Sequence, residues 1–124
     1  MKKIILLLAI IPLFMSSSCE NDNDDDQIFC TLEFVYGLKV TILDSQTNQP
    51  LTEGVVVKAT DGLYQEFLIP GGENSFIGAG ERPGTYIITV TKSGYQTYTS
   101  SPITVTRNVC HVIPQSLTVN LQPL

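Results

Sequence analysis

Few residues in this 124-residue chain could do chemistry, and their spacing limits what that chemistry could be. His111 is the only histidine, so it is the only side chain whose ordinary pKa makes it a base near neutral pH. A zinc site draws three or four ligands from His, Cys and carboxylates, and a lone histidine beside Cys110 does not supply them. His111 therefore reads as a structural residue. Serine and threonine are plentiful, but a hydroxyl becomes a nucleophile only with a base in reach, and His111 is the sole candidate. Glu66, Glu73 and Glu81 fall in one loop-rich region, where paired carboxylates could serve as acid and base; they read as solvated turn residues. Asp22, Asp24 and Asp26 alternate as in a calcium loop. Counted from Asp22, however, the sixth and twelfth positions hold Gln27 and Glu33, and the glycine such a loop needs at its sixth is missing. No catalytic residue, metal or cofactor is expected.

Binding chemistry is almost as sparse. Glycan-binding faces rely on flat aromatic platforms, and the chain has no Trp. Tyr64 and Tyr98 are the candidate platforms if they face outward; cross-strand packing is the competing use. Phe67 and Phe76 read as core or hairpin-packing residues. The formal charge of −5 is unevenly placed. Residues 20–26 alone carry −5, whereas the chain from Ile28 onward holds five basic and seven acidic residues. The acidity belongs to a tether, there is no basic patch, and nucleic acid is excluded as a partner.

The three cysteines are Cys19, Cys30 and Cys110, and their odd number has to be explained. Lys2 and Lys3 precede an eleven-residue apolar run, Ile4 to Phe14, broken only by Pro12. The small residues Ser16, Ser17 and Ser18 follow, and then Cys19. That is the tripartite pattern of a secretory signal over residues 1–18, and the run is short of the roughly 20 apolar residues that span a bilayer. Small residues directly before a cysteine resemble the lipobox of bacterial lipoproteins, although Ser16 stands where that motif usually has Leu. The resemblance implies that Cys19 carries the lipid anchor and heads the mature protein. Residues 19–27 then form an acidic, flexible tether, similar to the acidic tract that follows the lipidated cysteine in surface lipoproteins of Gram-negative bacteria. The expected location is the outer membrane or cell surface, with the lipid anchor as the membrane contact. Cys30 and Cys110 remain as a pair. In an oxidising compartment they would bridge; the alternative is two buried free thiols.

The elements that must hold these residues are strands. Leu38, Val40 and Ile42 alternate with Lys39 and Thr41; Val55, Val57 and Ala59 alternate with Val56, Lys58 and Thr60; Tyr86, Ile88 and Val90 alternate with Ile87, Thr89 and Thr91. Leu117, Val119 and Leu121 share a face in the last strand. Asp44 to Pro50 is a polar turn, Asp61-Gly62 a hairpin signal, and Pro70 to Asn74 a loop. Ser75 to Ala79 reads as a short, weak strand, and Tyr95 to Thr106 as an extended stretch bent or edged at Pro102. About seven short strands and no helix predict an all-β, seven-stranded β-sandwich over residues 28–124.

The order of residues in that domain is familiar. Leu38-Lys-Val-Thr-Ile-Leu-Asp44, Gln49-Pro50-Leu51, Gly84-Thr-Tyr-Ile-Ile-Thr-Val90 and Ser93-Gly94-Tyr95 resemble the carboxypeptidase regulatory-like domain, a transthyretin-like sandwich. The resemblance covers about Gly37 to Leu121. It implies a non-enzymatic accessory or binding module, with an envelope protein or a polysaccharide as partner. The alternative it leaves is a glycan-binding lipoprotein of a polysaccharide uptake system. Neither the His-x-x-Glu zinc motif of metallocarboxypeptidases nor the several histidines of transthyretin-like hydrolases are present. Gly84 and Gly94 are expected at turns that need special backbone angles, and Tyr95 is expected over one end of the sandwich.

Overall fold

Alternation is what the backbone obeys. In β1 (Tyr36–Asp44), Leu38, Val40 and Ile42 are at most 1% exposed, while Lys39 and Thr41 are only partly covered. The computed structural model describes residues 29–124. The expected signal segment (1–18), Cys19, the tether (19–27) and Ile28 lie outside the described residues.

The remaining strands are β2 (Val56–Asp61), β3 (Tyr64–Phe67), β4 (Ile69–Pro70), β5 (Ser75–Gly80), β6 (Gly84–Thr91), β7 (Tyr98–Thr99), β8 (Ile103–Val105) and β9 (Gln115–Leu121). They form two sheets. One runs β4-β5-β1-β9; the other runs β3-β2-β6-β7, with β8 also on β6. Every pairing is antiparallel except β1 with β9, which is parallel over Leu38↔Gln115 to Asp44↔Leu121. The core is an all-β sandwich interior. Leu38, Val40, Ile42, Phe76, Val119 and Leu121 from the first sheet join Val57, Ala59, Tyr86, Ile88, Val90 and Val105 from the second. Phe76 is a core residue, as its sequence context predicts.

The chain changes sheets at Leu68. Its N–H donates to the Val57 carbonyl at 2.8 Å in one sheet, and the next two residues are already β4 of the other. Its side chain, 6% exposed, lies so close over Gly78 that a Cβ there would meet it at 2.7 Å. Gly78 is thus what lets the crossing pass. This also explains why β5 is not the weak strand its composition suggests: it sits between β4 and β1, and Ser75 and Phe76 are buried. The extended stretch from Tyr95 is divided as Pro102 predicts. The Ser100 hydroxyl accepts from Ile88 N–H at 2.8 Å and spans the gap between β7 and β8. The Asp61-Gly62 signal does produce a hairpin, but Asp61 pairs with Tyr64, so the turn residues are Gly62 and Leu63.

Tyr95 closes one end of the sandwich. Its hydroxyl donates to Asp44 Oδ2 at 2.6 Å, and Asp44 Oδ1 caps the following turn by accepting from Gln46 and Thr47 N–H. The Tyr95 hydroxyl and then the Gln46 amide hold the Asp44 carboxyl below its ordinary value against the pull of burial.

Candidate functional site

The polar chemistry of the described residues gathers at the turn joining β5 to β6. Ala79 and Glu81 both take left-handed backbone angles there, φ 53° and 48°, which cost non-glycine residues energy and are kept only where surroundings impose them. The result is a sharp turn that throws two adjacent charged side chains in different directions. Glu81 points to the N-terminal arm, and Arg82 to the β2–β3 hairpin.

Glu81 is fully engaged. Its Oε1 accepts from Val35 N–H at 2.9 Å and lies 2.7 Å from His111 Nδ1; its Oε2 accepts from Val112 N–H at 3.3 Å. Burial pushes this carboxyl up, but the Val35 amide, the His111 ring and the Val112 amide together outweigh it and hold it below its ordinary value. The other ring nitrogen, Nε2, is 3.0 Å from the Thr31 hydroxyl. Thr31 follows Cys30, and Cys110 precedes His111; those two cysteines form a disulfide across 80 positions of sequence. The bridge is therefore present, and the free-thiol alternative is excluded.

Thr31, His111 and Glu81 have the connectivity of a hydroxyl–base–carboxylate triad. The amides beside them are otherwise engaged, and the group acts as a clamp between two segments. Cys110 and His111 N–H both donate to Asn108 Oδ1 at 2.8 Å, and Val112 N–H goes to Glu81, so these donors do not converge on a developing oxyanion. What the group does in this geometry is fasten the arm before β1 to the loop before β9.

Arg82 fills the other side. Its guanidinium carbon stands 3.5 Å from the centre of the Tyr64 ring and 5.5 Å from that of Tyr86. Nη1 donates to Asp61 Oδ2 at 3.1 Å and to the Tyr86 hydroxyl at 2.9 Å; that hydroxyl donates back to the Arg82 carbonyl at 2.8 Å. Tyr86 itself is 0% exposed, and burial pushes its phenol up. Glu66 Oε1 accepts from Ala79 N–H and from the Tyr64 hydroxyl. These side chains cap the inner space where the apolar core ends. Gly84 is required here for room, not for backbone angle. A Cβ at Gly84 would collide with the Asp61 carboxylate, and its φ is not positive, whereas Gly94 does take φ 86°.

Several sequence expectations are corrected by this placement. Glu66 and Glu81 are not solvated turn residues; each binds backbone N–H groups, and of the three glutamates only Glu73 is highly exposed, paired with Lys39 at 3.1 Å. Phe67 is neither core nor hairpin filler but 58% exposed. It lies opposite Lys58 on the outer face of the five-stranded sheet, where Val56, Lys58, Phe67, Thr89 and Thr91 line a shallow depression of about 130 Å³. Tyr64 and Tyr98 are not brought together. Tyr64 is 37% exposed, with Arg82 over one face of its ring, and Tyr98, opposite buried Val90, packs partly against the core.

Among the described residues no group of three His, Cys, Asp or Glu side chains is placed to hold a metal ion, and no helix is long and apolar enough to cross a membrane. No family model and no curated protein sequence matches this chain.

Proposed function

We propose that this chain is an exported lipoprotein. In this reading Cys19 carries the lipid, residues 19–27 are the tether, and the β-sandwich is a non-enzymatic binding or accessory module of the transthyretin-like, carboxypeptidase regulatory-like kind on the cell envelope. One observation carries it. Cys30 and Cys110 are bridged, so Cys19 is the odd cysteine, and it stands immediately after the small residues that end a signal pattern. A disulfide in so small a domain also fits an oxidising compartment outside the cytoplasm. The partner is an envelope protein or polysaccharide, and the membrane is contacted through the lipid.

Mass spectrometry of the mature N-terminus tests this. The expected product begins at Cys19 with a lipid mass added, and Cys19→Ala stays unprocessed or leaves the membrane fraction. An unmodified Cys19 in the mature protein, or a Cys19→Ala protein of mature size still in the membrane, refutes the anchor.

Glycan binding is the second reading, and the exposed Phe67 ring favours it. The ring borders a depression that also offers the Lys58 ammonium and the hydroxyls of Thr89 and Thr91. On a glycan array, Phe67→Ala should abolish any binding while Tyr64→Ala and Tyr98→Ala retain it. Binding that survives Phe67→Ala, or no binding at all, removes this reading and leaves the first.

A further inference from the structure

The apolar side chains most open to solvent gather at one end of the sandwich. Phe29, Leu32, Leu63 and Val109 are each at least 69% exposed, and among the described large hydrophobics only Leu124 is as open. Phe29 and Leu32 lie on either side of Cys30 in the arm, and Val109 adjoins Cys110, the other half of the bridge. Leu63 is at the tip of the β2–β3 hairpin, where Asp61 pairs with Tyr64. Arg82 ties that hairpin to the same end: its guanidinium donates to Asp61 Oδ2 at 3.1 Å, while its neighbour Glu81 holds Val35 and His111. Leu124 lies at the far end, its N–H on the Gly94 carbonyl, roughly 30 Å away along the nine residues of β1.

The polar groups of this end are turned on one another, which lowers the cost of taking it out of water. The turn carrying Val109 closes on itself: Cys110 and His111 N–H donate to Asn108 Oδ1, and Asn108 N–H donates to the His111 carbonyl at 2.9 Å. Backbone groups satisfied in this way lose little on desolvation. The carboxylates nearby are engaged too, Asp61 by Arg82, Glu66 by the Ala79 N–H and the Tyr64 hydroxyl, and Glu81 by His111 and two amides. The exposed charged residues of the arm and of the loop before β9, Glu33 and Arg107, are opposite in sign.

We propose that this end docks on the lipid surface that holds the anchor, with Phe29, Leu32, Leu63 and Val109 inserted between the headgroups; the proposal rests on the anchored reading. The occupant follows from where the chain enters. Phe29 is ten residues from Cys19, a length that spans at most about 35 Å even when fully extended, and it leads into this end of the domain. The bilayer is therefore within reach of these side chains and faces them. Residues 20–27 hold no apolar side chain, so the tether itself has nothing with which to cover the patch. Those residues carry −5, and the exposed charges of the end cancel, so electrostatic attraction to lipid is absent and apolar burial drives the docking. Side chains that project from an arm and two separate loops suit a fluid interface, which needs no complementary shape. The bridge then has a second effect: it holds the apolar residues of the arm beside Val109.

The test uses protein expressed from the full-length sequence, purified in detergent and reconstituted into phosphatidylcholine vesicles with brominated acyl chains. The chain has no Trp, so one introduced Trp is the only indole reporter. Emission from Leu32→Trp and Leu63→Trp should shift to the blue and be quenched by the bromines, and that from Leu124→Trp should match its value in unbrominated vesicles. In Val109→Trp protein, adding Leu32→Ser and Leu63→Ser should lower the docked-to-free ratio by about tenfold per leucine and remove the quenching, with the urea midpoint unchanged. The mass of the N-terminal peptide from the same sample reads the anchor separately. A lipidated protein in which Leu32→Trp and Leu63→Trp are quenched no more than Leu124→Trp overturns the docking and leaves the anchor standing. Quenching retained in full by the double serine variant also overturns the docking, and an unmodified Cys19 overturns the anchor and the docking together.

Discussion

Replacing both bridged cysteines by serine removes a constraint whose size follows from the fold. Cys30 and Cys110 are 80 positions apart. Chain-entropy arithmetic for a closed loop of that length gives about 4.5 kcal/mol at 25 °C, all of it from the unfolded state. That figure is a ceiling. Phe29 is 83% exposed and Leu32 104%, so part of the arm regains freedom when the bridge is cut, and the native state gains entropy as well. The expected loss is therefore about 2–4 kcal/mol, a fall in Tm of roughly 10–25 °C for a domain of this size. Urea unfolding followed by circular dichroism measures it, and the same shift should appear in wild-type protein treated with reductant. The m-value should rise, because the unfolded chain expands when its loop is opened. A Tm change under about 3 °C with an unchanged m-value would show that the arm frays freely in the native state and that the bridge closes nothing of consequence.

The acid limb of stability should belong to Asp44 and Glu81. Both carboxyls are held below their ordinary values, so the unfolded chain binds more protons than the folded one as pH drops. Their stabilisation is complete above the ordinary carboxylate pKa of about 4 and is lost as pH falls through the depressed folded-state values. Urea midpoints from pH 7 to pH 3 should fall steeply in the wild type and flatten in Asp44→Asn and Glu81→Gln; equal slopes in all three would dismiss the assignment. Tyr86→Phe keeps the buried ring and removes a hydroxyl that both accepts from and donates to Arg82. A cost of about 1–2 kcal/mol is expected for the Arg82 groups left without it, and an effect below about 0.5 kcal/mol would mean that water replaces the hydroxyl.

Much of the fold is legible in the sequence because the strand period is two. The alternations at Leu38–Ile42, Val57–Ala59, Tyr86–Val90 and Leu117–Leu121 mark the inward faces found in the structure. The places of Phe67 and Glu66 were legible too, by parity. Whether Asp61-Gly62 or Gly62-Leu63 makes the turn, Phe67 falls opposite Val56 or Lys58, both outward, and Glu66 opposite Val57 or Ala59, both inward. Residue type misleads there, since an aromatic suggests core and a glutamate suggests solvent. The transfer between sheets at Leu68 carries no period of its own; its signal is Gly78, ten residues on, where a side chain would block the crossing. The Glu81–His111 contact joins residues 30 apart in different loops, and no local pattern could announce it. Nor does composition reveal that Ala79 and Glu81 accept left-handed angles, because the contacts that hold them there are tertiary.

The position of the clamp bears on the anchored reading. Loop entropy alone would reward any bridge between residues so far apart. This one joins the segments that lead into β1 and β9, which lie side by side and parallel over seven residue pairs. A pull on the chain before Cys30 therefore enters both strands at the same end, through Cys30 and Cys110, and does not shear one past the other. Glu81 doubles the fastening with Val35 on the β1 side and with Val112 and His111 on the β9 side. On the proposed anchored reading, a domain held through its N-terminal side is loaded at these ends whenever its partner moves. Force applied through the N-terminus should accordingly meet higher resistance in the bridged protein than in the reduced one, by more than their difference in equilibrium stability. A drop no larger than that difference would leave the clamp as a staple and nothing else.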